Sequence, residues 1–587
     1  MQLNGTSDLV SKEFFKQSIF KNKQNKNKKL KKTEAFADLS QTDLSFALEQ
    51  DVSFLKNVLN AYGYFDHKVD YHIRGKKLVI DVTAGIAFKV RGIKFFGCAD
   101  QDICEQWFPY LKLKVGQPFR YWQLLETQEQ LLNFLQNNGY PAPSYEKPHV
   151  LVDYKKKEVE VEIRIHPGLV MHFGELFVSG LEKVRLNYIK YKIPWKKGEI
   201  FNKNLLEKFR AELYESGLFS SVSFKKCQHE ETGTVDIEAR LRESLPRYIG
   251  LAGQFRTGEG PGGQIEWRHL NLTGRGDELQ LAARAFKYFQ RLETDYVLPH
   301  FILKNQKTHL SGSWEKSNRN AYKSNLTTLY PYVATKLNKR FTLYTGIQYQ
   351  FGTAKKMEAA FDKQTKKLIM DAKSFEVSLV SLPVSLEFDG TDNKFAPTHG
   401  LYVYGEVSPF FGREKQNFTK FKVATSYLLP FAKKDEIPPM AWFNKMSLGQ
   451  LIGKNLAQIV PHQRFYLGGP DTMRAYGLNL VGDLDDDKHP KGGKSYGYYT
   501  TEARLRVHPK ATLNLFYEVG VVNQSGLSEL LKSKNKFFHG VGITVCYYSP
   551  VLPIQIGCAF PSSRRRNYEG KYIDDAFQFY VGIGQIH

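Results

Sequence analysis

The residues best equipped for chemistry lie in Leu467-Gly-Gly-Pro-Asp-Thr-Met-Arg-Ala-Tyr-Gly-Leu-Asn-Leu-Val-Gly-Asp483, a glycine-rich loop built around one arginine, Arg474. A guanidinium is a planar fork of donors that matches a carboxylate, so this loop is suited to a directional ion pair. Patterns for bond-making are missing. No His-Glu-x-x-His or Gly-x-Ser-x-Gly occurs, and the 15 histidines are scattered. Gly258-Glu-Gly-Pro-Gly-Gly263 lacks the Gly-Lys-Ser/Thr of a phosphate loop and reads as a hairpin tip. Arg275-Gly276-Asp277 spells an adhesion tripeptide, but it falls in a turn. The five cysteines form no Cys-x-x-Cys pair. Cys98 and Cys104 either bridge in an oxidising compartment or stay as thiols, whereas Cys546 and Cys558 fall on opposite faces of adjacent strands and should not bridge. No catalytic group, metal site or cofactor site is expected.

The elements that must position this loop follow from composition and period. At 587 residues the chain predicts two or more domains. No run of about eighteen apolar residues occurs, which excludes membrane-spanning helices but leaves open a membrane β-barrel, whose alternating strands average out as polar. The formal charge of +23 is compatible with nucleic acid or an anionic membrane. Part of it is concentrated in 21–32, where seven of twelve residues are lysine, and this stretch reads as a solvated insertion. No nucleic-acid motif accompanies the charge, so no nucleic-acid partner is expected.

Three repeats precede residue 247. Strands end in glycine at Gly5, Gly97 and Gly180, and later helices stop at Gly63, Gly139 and Gly217, each followed by an aromatic or apolar step. Glycine suits the left-handed position that ends a helix. Each unit closes with an alternating strand: Lys77 to Thr83, Val159 to Ile165, and Val235 to Leu241. The order is β-α-α-β-β, with boundaries at 1–86, 87–168 and 169–246. Gln2 to Gly5 reads as the end of the first strand, so the given sequence is expected to start inside a domain, without its leader.

Residues 247–587 read as strands throughout. Leu279, Leu281, Ala283 and Ala285 alternate with Glu278, Gln280, Ala282 and Arg284. Leu513, Leu515, Tyr517 and Val519 alternate with Asn514, Phe516, Glu518 and Gly520. About sixteen strands of some twenty-one residues each, loops included, suit a membrane barrel with a lipid face and a wet lumen. A soluble sandwich would alternate in the same way, but length and unbroken strand content favour the barrel.

The loop, the repeats and five further stretches together resemble the outer-membrane β-barrel assembly superfamily over nearly the whole chain. The loop core Met473-Arg474-Ala475-Tyr476-Gly477 after Gly468-Gly469 is similar to that family's lumen loop. The other stretches are Asn271 to Gly276, the Asp389, Asp392, Pro397 and Gly400 hairpin, Phe516-Tyr-Glu518-Val-Gly520, Gly540-Val-Gly542 with Tyr548-Ser-Pro550, and Phe579 to His587. The resemblance implies three α+β POTRA-like domains in the periplasm, which bind clients by strand addition, and a sixteen-stranded antiparallel barrel in the outer membrane. Three repeats resemble a TamA-like member more than a BamA-like one. The partners implied are unfolded outer-membrane client proteins, the lipid bilayer, and a partner anchored in the inner membrane at the first repeat. The activity implied is insertion or secretion of barrel-type clients; the alternative is a two-partner secretion translocator, for which two repeats and a plug helix would be expected.

By motif position the resemblance implies that Arg474 pairs with Glu518 and pins the loop in the lumen, with Gly468, Gly469, Tyr476 and Gly477 shaping it. Alternation independently turns Glu518 inward. Ala475 stands where the family has glycine, and a positive φ there would cost about 1–2 kcal/mol. Glu518 replaces an aspartate, and His587 replaces a terminal aromatic. The functional seam is expected where Tyr248 to Arg256 meets Phe577 to Ile586, with Tyr248, Ala252, Phe579, Gly582 and Gly584 on it and Ala252 near Gly582. Glycines there weaken pairing, and weak pairing can offer backbone groups to a client strand.

Overall fold

Glycine ends the strands of the N-terminal repeats for a steric reason as well as a conformational one. Gly97 and Gly180 close Lys89–Phe96 and His172–Ser179 with φ of +86° and +83°. A Cβ at these positions would stand 2.1 Å from the Ile165 carbonyl oxygen and 1.9 Å from that of Leu241, on the central strand of each sheet. The same clash at equivalent places gives the repeat a physical basis.

The structure is a computed structural model, describing residues 2–4, 52–74, 77–97, 111–256, 260–299, 303, 305–362, 367–393, 397–413, 416–431, 439–453, 455–485, 487–530, 536–548, 554–566 and 570–583. The lysine-rich stretch, Cys98 and Cys104 lie outside them, as do Gly5, Gly584 and His587.

Three small sheets share one plan. Gln2–Asn4 runs parallel to Lys77–Thr83, which also pairs with Lys68–Arg74. Lys89–Phe96 runs parallel to Glu158–His166, which also pairs with His149–Asp153 and Ser144–Tyr145. His172–Ser179 runs parallel to Thr234–Glu243, with Phe219–His229 beyond it. In each, the last strand in sequence is central in space, and a helix precedes the closing strands: 52–61, Tyr121–Asn137 or Lys203–Glu215. Apolar spacing along the third of these buries Leu206, Phe209 and Leu213, and Asn202 caps its start by accepting the Asn204 amide at 2.9 Å.

The chain forms two compact units, 1–181 with 189–242, and 182–188 with 243–587. The short segment joins the second unit because the Glu243 carboxylate accepts the amides of Glu182, Lys183 and Val184, while the Arg185 amide donates to the Gly274 carbonyl at 2.8 Å.

The second unit is a closed antiparallel barrel. Of its eighteen strand segments, Phe341–Gly346 and Gln348–Asp362 pair with the same neighbour, Lys323–Lys336, and form one strand interrupted at Ile347. Lys367–Ser381 and Val384–Asp389 likewise share Gly400–Gly412 and are interrupted at Leu382 and Pro383, where proline cannot donate to a ladder. Sixteen strands result. Arg247–Arg256 closes on Gln578–Ile583.

Alternation separates the two faces of the wall. Leu251, Leu281, Leu310, Leu329, Val423 and Ile556 are exposed outside. So much exposed apolar surface has a stable home only in lipid. No helix among the described residues is long and apolar enough to cross a membrane. The inner face departs from the expected uniformly wet lumen. Phe375, Val377, Leu379, Phe410, Phe418 and Leu451 are buried inside the barrel against Ile459, Val460, Phe465, Leu467, Met473 and Tyr476. A loop folded into a lumen needs an apolar wall to pack on, and this one has its own core.

Candidate functional site: the lumen loop and the seam

The loop between Met440–Gly453 and Ser495–His508 folds on itself before it meets the wall. Two isolated bridges, Phe465 with Gly493 and Leu467 with Val481, pinch it into a narrow tongue. At its tip the Gly469 amide donates to the Tyr476 and Met473 carbonyls at 2.9 and 3.1 Å, and the Gly468 amide donates to the Thr472 hydroxyl at 3.0 Å. Gly468 and Gly469 have φ of +110° and +102°, and a Cβ on Gly468 would lie 2.4 Å from the Gly477 carbonyl oxygen. These glycines permit the turn that aims Arg474 at the wall.

Arg474 reaches two strands. Its Nε donates to Glu518 at 3.1 Å, its Nη1 to Glu502 at 2.7 Å, and its Nη2 to the Thr500 hydroxyl at 3.1 Å. The guanidinium carbon lies 3.5 Å from the Phe516 ring centroid, a cation–π contact. Glu518 is fully buried and also accepts the Ala475 amide at 2.9 Å. Ala475 is not among the described residues with positive φ, so the strain considered for it does not arise. Burying three charges stabilises only when each is paired and hydrogen-bonded, as here.

Glu502 was missed as a partner. Its closeness to Arg474 depends on the register that sets Thr500 opposite Glu518 and Glu502 opposite Phe516. Two wall glycines also have a role that spacing did not reveal. A Cβ on Gly520 would lie 2.3 Å from the Met473 sulfur, and one on Gly540 2.5 Å from the Ala475 Cβ. They leave room for the tip. Tyr476 is buried, and its hydroxyl donates to the His539 carbonyl at 2.9 Å.

A second cluster holds the base of the tongue. The Gln350 side-chain oxygen accepts from His462 Nε2 at 2.8 Å and from the Gln463 side-chain Nε2 at 3.1 Å. Burial, with the Lys420 ammonium nearby, pushes the His462 imidazole down to about 3, so it stays neutral.

The predicted hairpin is confined to its turn. The Asp389 carboxylate accepts from the Thr391 amide and hydroxyl at 3.0 and 2.6 Å. Asp392 accepts the Thr398 and His399 amides and the Thr398 hydroxyl. Burial opposes ionisation of Asp392, but these donors outweigh it and hold the carboxyl down to about 2. Pro397 is exposed, and Gly400 has φ of +127°. This site is distinct from Arg474.

At the seam the structure corrects the register. Described pairs run from Gly253 with Ile583 to Arg256 with Tyr580, and Gly582 stands opposite Gln254, two residues from the expected Ala252. Tyr248 and Ala252 pair with Arg268 and Gln264 on the second strand, and Phe579 pairs with Cys558. The last strand is described over Gln578–Ile583; Phe577 precedes it, and 584–586 of the expected span lie outside the described residues. Pleat alternation places faces but not register, which is set by pairing across the whole barrel. Cys546 and Cys558 are free thiols on neighbouring strands, and Cys546 stands opposite Gln555. A cavity of about 220 Å³ joins tip and seam, lined among others by Asp471, Arg474, Glu502, Tyr580 and Gly582.

Comparison with known proteins bears on this arrangement. The family model of the Omp85 superfamily domain matches residues 271–586. The outer membrane protein assembly factor BamA of Nitratidesulfovibrio vulgaris is 22% identical over 566 residues, covering 91% of this chain and 67% of its own length. The crystal structure of BamA from Haemophilus ducreyi lacking POTRA domains 1-3 superposes with a TM-score of 0.68 at 16% identity, over 84% of this chain and 99% of that one. CdiB from Acinetobacter baumannii aligns at a TM-score of 0.48 and 12% identity, covering 98% of this chain and 99% of that one, too loosely to carry an argument.

Proposed function

The chain belongs to the Omp85 superfamily, and we propose that it is an outer-membrane protein assembly factor whose barrel opens at the seam between Arg247–Arg256 and Gln578–Ile583. It resides in the outer membrane, with its POTRA-like domains in the periplasm. Unfolded outer-membrane proteins are the clients, received at sheet edges of the N-terminal repeats and then at the seam. We keep the repeat boundaries at 1–86, 87–168 and 169–246. The work is templating: a client strand takes the backbone hydrogen bonds that the two closing strands release. No covalent step is involved.

One observation carries this reading. The described closing pairs between the first and last strands include Gly253 and Gly582, and a Cβ at Gly253 would meet nothing within 4 Å. Glycine there weakens the closing ladder without being required by close packing. Arg474, Glu502 and Glu518 anchor the tongue beside it in the closed barrel.

The test uses cysteines at Gly253 and Ile583, which face one another, in a background with all native cysteines replaced by alanine. Locking this pair should abolish insertion of a urea-unfolded small β-barrel protein into vesicles holding the folded chain, and reduction should restore it. Undiminished insertion with the crosslink complete would overturn the proposal.

A further inference from the structure

A second arginine, outside the lumen loop, links the tongue to the strand that closes the barrel. Arg565 lies in the segment 562–577, between Ile554–Pro561 and the last strand. Its Nε and Nη2 fork onto Asp574 at 2.9 and 2.7 Å, and its own amide donates to the same carboxylate at 2.8 Å. The remaining donors leave the segment. Nη1 donates to the Gly482 carbonyl at 2.9 Å and Nη2 to the Leu480 carbonyl at 2.5 Å, both on the return limb of the tongue. Asp574 is almost fully buried at 1% exposure, and Arg565 is 11% exposed. This is a built contact, not a surface pair.

Its neighbours extend the link at both ends. The Arg565 guanidinium lies 4.8 Å from the Phe538 ring, which meets the Tyr476 ring of the loop tip edge-on at 5.4 Å. On the other side, Asp575 accepts the side-chain amide of Gln578, the first residue of the last strand, at 2.8 Å. A guanidinium held by one carboxylate and two carbonyls is oriented by all three, and a lysine could not serve all of them at once.

We propose that Arg565 is a positioning residue for the seam: it registers the last strand against the docked tongue, so that undocking the tongue and parting the seam are one linked transition. This rests on the seam reading given above but is tested apart from it, because seam closure is measured without any client. The coupling claimed is a two-state element biased from two places, the loop tip and the 562–577 segment.

The experiment uses the full chain in lipid vesicles, with cysteines at Gly253 and Ile583 and the native cysteines replaced by alanine. The initial rate of disulfide formation under mild oxidant reports how often the seam is closed, and heat-resistant migration on a detergent gel reports a folded barrel. Arg565→Gln and Asp574→Asn should each slow crosslinking several-fold while the barrel stays folded, and Arg565→Lys should not rescue it. The exchange Arg565→Asp with Asp574→Arg restores the ion pair but removes the donors to Leu480 and Gly482, so its seam should remain slow to crosslink. Parental crosslinking in Arg565→Gln, or in the exchange, would show that the arginine folds its own segment only and would overturn the proposal. If Arg565→Gln fails to fold, the exchange alone decides. Client insertion that survives a locked seam would refute the seam reading and leave these rates unaffected.

Discussion

Two stretches of one barrel wall are built in opposite ways. Ser495–His508 and Ala511–Asn523 pair along almost their whole length, and their inner faces receive a buried arginine with each of its three guanidinium nitrogens hydrogen-bonded. The first and last strands close through described pairs that include Gly253 and Gly582, which bring no side chain to the ladder. Strength is thus placed where the tongue docks and withheld where the cylinder closes. A barrel that only had to be stable would gain by filling the glycine places with β-branched or aromatic cross-strand pairs. A barrel whose closure is weakened by glycine can part at one place and keep its wall elsewhere.

The contrast is tested most severely by Arg474→Ala. That change leaves Glu502 and Glu518 facing each other in a buried site without their shared cation, and should cost about 3–5 kcal/mol. The midpoint of urea unfolding in vesicles should fall accordingly, and the tongue should become open to protease. Val581→Ala in the seam should shift the same midpoint very little. Equal shifts from the two would remove the distinction between anchored wall and weak closure.

A smaller loss is expected where the wall makes room for the tip. In Gly520→Ala the new Cβ would meet the Met473 sulfur at 2.3 Å. Overpacking of this kind costs about 1–3 kcal/mol, softened by the flexible thioether. Adding Met473→Ala should recover part of the loss. Fully additive losses in the double variant would mean that Gly520 acts through its own strand and not by admitting the tip.

Which of these features could be read from sequence depends on how far apart their parts lie. The inward turn of Glu518 follows from a period of two within one strand, and the glycines at 97 and 180 announce strand ends locally. The pairing of Arg474 with Glu518 was available only through resemblance, since nothing local sets a loop residue beside a strand 44 positions away. Glu502 and the seam register were out of reach for a related reason. Both depend on pairing offsets, and an offset is fixed by turns and packing around the whole barrel. The apolar lumen was invisible too: on Lys367–Ser381 the apolar set Phe375, Val377 and Leu379 lies inside, and a period of two does not tell such a face from a lipid-facing one.

The mildest expectation concerns pH and separates the base of the tongue from its tip. His462 is neutral when docked, with its imidazole held down to about 3 by burial and the nearby Lys420 ammonium. Released into water it would titrate near 6.5. The undocked state therefore binds the additional proton between these values, and docking is stabilised fully above pH 6.5 and progressively less below it. From pH 7.5 to 5.5 the loss should be at most about 1.4 kcal/mol. Protease cleavage within 454–494 should accelerate over that range by no more than tenfold. His462→Gln keeps a donor for Gln350 and removes the titration, so its cleavage rate should be flat with pH. A variant as acid-sensitive as the parent would place the titrating group elsewhere and leave the base of the tongue as passive packing.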